Sequence, residues 1–207
     1  MRLYMIAMHD EASEIIKDFT RVTESLVELY VKGDIFVAIS QVGKVNASFA
    51  LTYLLTKYPN IDKIINIGFA GAVGNYDVGD NVLVSETIYH DFDLTVFNYK
   101  LGEVPNIKED FITSESYLRL FYDFKHTILY TGDSFQTNAL NDDYLADMEG
   151  SALYHVAHLF NKPIFSIKVV SDVIGKDKVE DYEKFEKIGA KNIEMLYNTI
   201  EVRLKKI

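Results

Sequence analysis

"SIKVVSDV", residues 166–173, is the stretch on which the fold turns. Apolar, mostly β-branched residues follow Pro163 without the alternation of a half-exposed strand. The segment therefore reads as a strand buried on both faces, the kind found in sheets covered by helices on both sides. It closes on Ser171 and Asp172. A buried carboxylate costs free energy unless it is paired or hydrogen-bonded, so its placement there asks for a reason.

Working outward, the pattern keeps switching between strand and helix. "EGSALYHVAHLF" upstream reads as a helix opened by an acidic residue, and an amphipathic helix spans Glu180 to Leu204 downstream. "RLYMIAM" is a first strand, with a short helix expected from Glu11 to Phe19. "LVELYV" and "IFVAIS" flank Lys32-Gly33-Asp34, a hairpin signal. Val45 to Tyr58 has helical spacing, "KIINIG" is a buried strand followed by the glycine-rich "GFAGAVG", and "NVLVSETIYH" is a long strand. "SESYLRLFYDF" reads as a helix and "TILYT" as a strand. Alternating strands and helices with a hairpin predict an α/β fold, a three-layer sandwich with a central mixed β-sheet flanked by helices. Without repeats, low-complexity tracts or Pro/Gly/Ser-rich linkers, one domain is expected over residues 1–207.

Composition narrows the function classes. Of 207 residues, 48% are apolar, enough for a large core, and there is no cysteine, hence no disulfide, catalytic thiol or thiolate metal site. A formal charge of −10, with basic residues scattered, opposes binding to nucleic acid and to anionic membranes. The apolar run after Met1 ends at His9 and Asp10, too short for a signal peptide or a membrane span, so a soluble cytoplasmic protein is expected. A neutral or zwitterionic small ligand fits the charge balance.

In open α/β sheets ligands bind at the carboxyl ends of strands. Carboxylates recur there: Glu11, Asp91, Asp93, Asp133, Glu149 and Asp172. Singly, each has a plain structural explanation as a helix-terminus or turn residue. Six at one edge point to acid–base chemistry, with different surroundings setting their pKa values apart. Other motifs fall away. "GFAGAVG" lacks dinucleotide-binding spacing, and "VGKV" lacks the glycine and Ser/Thr of a phosphate-binding loop. His155 and His158 have no further ligands beside them, so neither metal nor cofactor is expected. Ser171 has no evident histidine partner for a hydrolytic triad.

"AMHDE", "VGKVNA", "NIGFAGA", "VGDNVLVSETIYHDFDLTVFNYKLGEVP", "TGDSF", "DMEGSAL" and "VVSDV" occur in an order that resembles the nucleoside phosphorylase/nucleosidase superfamily over essentially the whole chain. Within it they look most like the bacterial 5′-methylthioadenosine/S-adenosylhomocysteine nucleosidases. The resemblance implies hydrolysis of an N-glycosidic bond, with Asp172 as general acid on the departing adenine, kept protonated by partial burial, and Glu11 as general base on the attacking water. It implies that Glu149 holds the ribose hydroxyls, Met148 packs on the sugar and Phe135 stacks on adenine. Val42, Phe69, Lys168, Ser171 and Tyr182 complete the implied substrate-binding set. It further implies a homodimer in which Leu94 and Phe97 reach into the neighbouring copy's site around the 5′ substituent.

Departures from the family pattern are informative. Phe69 stands where the family has a serine near the water pocket, Lys168 where it usually has an arginine, and Tyr182 where it usually has phenylalanine. Lysine cannot copy arginine's planar fork of donors. The changes at Phe69 and Lys168 weaken the case for a phosphate site, so hydrolysis is preferred over the alternatives of a purine nucleoside phosphorylase or a non-catalytic nucleoside-binding homologue.

Overall fold

The computed structural model describes residues 1–107, 110–140, 143–174 and 178–205, the side chains of 178–184 and 186–187 excepted. Its strands are β1 (Arg2–Ile6), β2 (Thr20–Arg21), β3 (Glu28–Lys32), β4 (Ile35–Ile39), β5 (Lys63–Val73), β6 (Asn81–Tyr89), β7 (Phe111–Ile112), β8 (Lys125–Thr131), β9 (Tyr144–Asp147) and β10 (Ile164–Val173). The helices are α1 (His9–Ala12), α2 (Lys44–Lys57), α3 (Glu115–Leu120), α4 (Gly150–Leu159) and α5 (Lys178–Leu204). Parallel pairs (β1 with β4 and β5, β5 with β10, β6 with β8, β8 with β9) join antiparallel ones in a mixed sheet.

Side-chain alternation along the central strands sends successive residues into two different cores. Tyr4 and Ile6 of β1, Ile65 and Ile67 of β5, and Phe165 and Ile167 of β10 pack against α3 and the face of α5 carrying Phe185, Ile193, Leu196 and Ile200. Leu3, Met5, Ile64 and Ile164 point the other way, onto α2 (Ala47, Ala50, Leu51, Leu54) and α4 (Ala152, Leu153, Val156). Helix, sheet, helix: this is the three-layer sandwich expected. The polar Asn66 in β5 is satisfied inside the sheet, donating to the Met5 carbonyl at 3.1 Å and accepting from Ser166 Oγ at 2.9 Å.

β5 is longer than the sequence reading, which broke the strand at "GFAGAVG". It runs 11 residues, straight through those glycines. Its first part pairs with β1, and its last residues Gly71, Ala72 and Val73 pair antiparallel with Ala146, Leu145 and Tyr144 of β9. β10 runs along its other edge from Ile64 to Ala72, so β5, β10, β6, β8 and β9 close into a ring. Small and branched side chains fill it: Ala70, Ala72, Val82, Val84, Leu129, Leu145 and Val170. Two further differences are local. The first helix stops at Ala12, where Ser13 Oγ donates back to the Asp10 carbonyl at 2.8 Å, and the chain continues as a 3-10 turn over Ile16–Asp18. α5 begins at Lys178, two residues before the expected start. Among the described residues no helix is long and apolar enough to cross a membrane.

Candidate active site

An open pocket lies where the residues after β1, the middle of β5, the loop after β8, the end of β9 with the residues after it, and the end of β10 come together. Four acidic side chains line it: Glu11, Asp147, Glu149 and Asp172. Each is held by a different local device.

Asp172 depends on a β-bulge. Along β10, Val170 sits opposite Ala70 but Asp172 sits opposite Gly71, so Ser171 is the extra residue. Such bulges bend a strand and re-aim its side chains. Ser171 Oγ donates to Asp172 Oδ1 at 2.7 Å and is 3.2 Å from the Ala70 carbonyl. Across the pair, a Cβ on residue 71 would lie 3.2 Å from Asp172 Oδ2, and glycine leaves that space open. Asp172 is 1% exposed.

Glu11 is the third residue of α1 and reaches back into the sheet. Its Oε1 accepts the Phe69 N–H at 3.0 Å and its Oε2 the Met8 N–H at 3.2 Å. A Cβ on residue 68 would come within 3.3 Å of the carboxylate, so a glycine stands there as well. Burial raises the Glu11 pKa, opposed by those two N–H groups and the charge of Lys168.

Glu149 precedes α4 and accepts the Gly43 N–H at 2.8 Å. Burial, followed by the charge of Asp147, pushes its pKa up to about 7. Asp147 itself accepts from Thr131 Oγ1 at 2.6 Å and the Gly150 N–H at 2.9 Å, and its Oδ2 is 2.9 Å from Lys168 Nζ. Both charges of this pair are buried. Burial alone would lower the Lys168 pKa, but Asp147, Glu149 and Glu11 together raise it. One ammonium thus faces three carboxylates.

A stability prediction arises from this crowding. Burial and Asp147 push the Glu149 pKa up to about 7 in the fold from its ordinary 4.5, so folding favours the proton. Its contribution is fully present below pH 4.5 and is lost as pH rises through 7. Glu149→Gln removes that loss while keeping an oxygen for the Gly43 N–H. Thermal unfolding should show equal Tm near pH 4.5 and a variant Tm several degrees higher near pH 8.5, corresponding to roughly 1–3 kcal/mol. A gain present equally at both pH values would refute the assignment.

The remaining expected residues divide clearly. Val42, Phe69, Phe135, Met148 and Ser171 line the same cavity. Lys168 does not line it; it lies beneath, committed to Asp147. The Phe69 ring packs edge-on against Phe185 at 5.2 Å between centroids, in space that a Cβ on Gly189 would fill. Its backbone N–H, which any residue but proline would supply, is what serves Glu11. Leu94 and Phe97 are away from the cavity of their own chain, with Phe97 68% exposed. The side chain of Tyr182 lies outside the described residues. Of the other carboxylates, Asp91 and Asp133 engage Lys44 outside the cavity lining, while Asp93 accepts the Thr95 N–H at 2.8 Å. Asp147 and Gln136, both cavity-lining, were not singled out from sequence.

Fold and cavity together define a class: the chain belongs to the phosphorylase superfamily, whose family model matches residues 5–201. A 5′-methylthioadenosine/S-adenosylhomocysteine nucleosidase of Bacillus cereus (strain G9842) is 31% identical, covering 89% of this chain and 91% of the relative. A Borrelia burgdorferi B31 protein, crystallised with adenine bound, superposes with a TM-score of 0.87 at 30% identity, covering 98% of this chain and all of that one. The nucleosidase of Colwellia psychrerythraea 34H, also in complex with adenine, shares the fold with a TM-score of 0.88 at 24% identity, over 99% of this chain and 96% of that one. Within the superfamily, the chain is a member of the 5′-methylthioadenosine/S-adenosylhomocysteine nucleosidase family.

Proposed function

We propose that the protein hydrolyses the N-glycosidic bond of 5′-methylthioadenosine and S-adenosylhomocysteine, releasing adenine and the 5-thio-substituted ribose. One observation carries this: Glu11 and Asp172, from distant parts of the chain, open onto a single cavity. Two carboxyl groups flanking one glycosidic linkage suffice for its hydrolysis, one as acid at the leaving group and one as base at the water. Asp172 gives its proton to N7 of the departing adenine as the bond to C1′ breaks and its electron pair moves onto the base. Glu11 takes a proton from the water whose oxygen bonds to C1′. Glu149 accepts from the ribose hydroxyls, and its charge stabilises the oxocarbenium-like sugar. Met148 packs on the sugar, and Phe135 stacks on the base. Ionised Glu149 is the better acceptor for ribose hydroxyls, so substrate binding pulls its proton off.

The charge of the cavity favours water over phosphate as the nucleophile. Among the described residues lining it there is no Lys or Arg, and Lys168 beneath is already paired with Asp147. A phosphate anion would face four carboxyl groups.

The functional unit we propose is a homodimer, in which Leu94 and Phe97 of the second copy wall the 5′ end of the site. The exposure of the apolar Val96 and Phe97 side chains, 81% and 68%, supports it, since it leaves them available to a second copy. The reading also places the protein in the cytoplasm.

The test is a substrate panel assayed for free adenine with and without phosphate: methylthioadenosine, S-adenosylhomocysteine, 5′-deoxyadenosine, adenosine and inosine. Adenine release from the first two without phosphate is the expected result. Strict phosphate dependence would instead make the protein a phosphorylase. Tight adenosine-analogue binding without turnover would make it a binding protein.

A further inference from the structure

The two residues that follow β6 form a seat for the loop that follows β8. The His90 N–H donates to the Thr131 carbonyl at 3.0 Å, and the His90 ring lies so close over Gly132 that a Cβ there would be 2.3 Å from it. Asp91 Oδ2 accepts the Asp133 N–H at 2.8 Å. Lys44 Nζ, at the start of α2, is 2.6 Å from both Asp91 oxygens and 3.6 Å from Asp133 Oδ2, and sits over the Tyr89 ring. Lys44 also donates its backbone N–H to Asp133 Oδ1 at 2.9 Å, one residue after the Gly43 N–H that holds Glu149. Burial works against the charge on Asp91, yet Lys44 and the Asp133 N–H hold its carboxyl below the usual range.

None of Asp91, Asp133 and His90 lines the cavity. What they hold does: Ser134, Phe135 and Gln136 are the next residues along the loop, and all three face the pocket. We infer that Asp91 is a positioning residue for base recognition, clamping the 132–136 loop to the start of α2 so that Phe135 is set at stacking distance before substrate arrives. The inference rests on the nucleosidase reading above. Physically, a stacking ring contributes to affinity in proportion to how little ordering it needs on binding. A clamp of one ammonium and two carboxylates, tied to backbone N–H groups, removes that ordering cost. Asp91 and Asp133 are exposed, so solvent screens the ion pairs, and the bonds to the Asp133 and Lys44 backbone N–H groups carry the clamp with them.

The probe is adenine itself, as a competitive inhibitor of methylthioadenosine hydrolysis, because it touches the base subsite and no other. Asp91→Asn should raise its inhibition constant about tenfold or more, the size of a lost base–aromatic stack, while kcat at saturating substrate changes by less than about threefold. If Asp91 acts through the loop, the same substitution in a Phe135→Ala background should shift the constant by less than about twofold, since neighbours in one chain of contacts are not additive. Should Asp91→Asn fail to fold, Lys44→Met is carried through the same cycle with the same criteria. An unchanged inhibition constant, or a shift that persists in full without the Phe135 ring, overturns the inference while leaving the function intact. Wild-type protein that neither releases nor binds adenine overturns the functional reading and this one with it.

Discussion

Asp172→Asn is expected to lower kcat/KM for methylthioadenosine by about 10²–10⁴-fold, the usual worth of a positioned acid. The amide is nearly isosteric, and its oxygen can still accept from Ser171 Oγ, which donates to Asp172 at 2.7 Å. Shape and Tm should therefore be retained while the proton is lost. Adenine is a poor leaving group as an anion, so the missing proton falls directly on the barrier. A p-nitrophenyl riboside with the same 5′ group leaves without protonation and should lose less than about tenfold, because the acid contributes nothing to its departure. Equal losses on both substrates would show that Asp172 binds or shapes the site without acting as its acid.

Glu11→Gln is expected to cost about 10²–10⁴-fold in kcat, with KM little changed, since the base acts on water in the transition state. The two functions separate by chemical rescue. Azide needs no deprotonation, so in Glu11→Ala it should restore adenine release and leave a glycosyl azide. In Asp172→Asn, where the leaving group is the obstacle, it should do nothing. A Glu11→Gln enzyme within about tenfold of wild type would end the general-base assignment. The raised pKa of Glu11 from burial adds a check: activity should fall as pH drops through it, because the protonated carboxyl cannot accept the water's proton.

How much of this was legible beforehand depends on the range of the interaction involved. The three layers followed from local pattern alone: runs such as Ile64–Ile67 and Ile167–Val170 declare a strand buried on both faces, and the spacing of Ala47, Ala50, Leu51 and Leu54 declares a helix. β9 was missed because Tyr144 to Asp147 is four residues long and its last one looks like the acidic start of α4. The extent of β5 was missed because glycines ordinarily punctuate. Here Gly68 and Gly71 stand inside the strand because Glu11 and Asp172 crowd against them. The Asp147–Lys168 pair joins two strands 21 positions apart in sequence and left no local trace. Phe69 misled differently. The serine-to-phenylalanine departure concerns a side chain, whereas the contact Glu11 uses there is the backbone N–H, which is invisible in a one-letter code.

The ring closed by β5 also bears on how the protein behaves at high concentration. An open sheet presents two rows of unsatisfied amides to other chains, the template for strand-to-strand aggregation. β5 has partners along both sides, β1 then β9 on one and β10 on the other, so this end of the sheet turns back on itself. The far end terminates in Thr20–Arg21, two exposed residues with a positive charge, which blunts it as a docking edge. Self-association by strand addition is thereby discouraged at both extremities of the sheet.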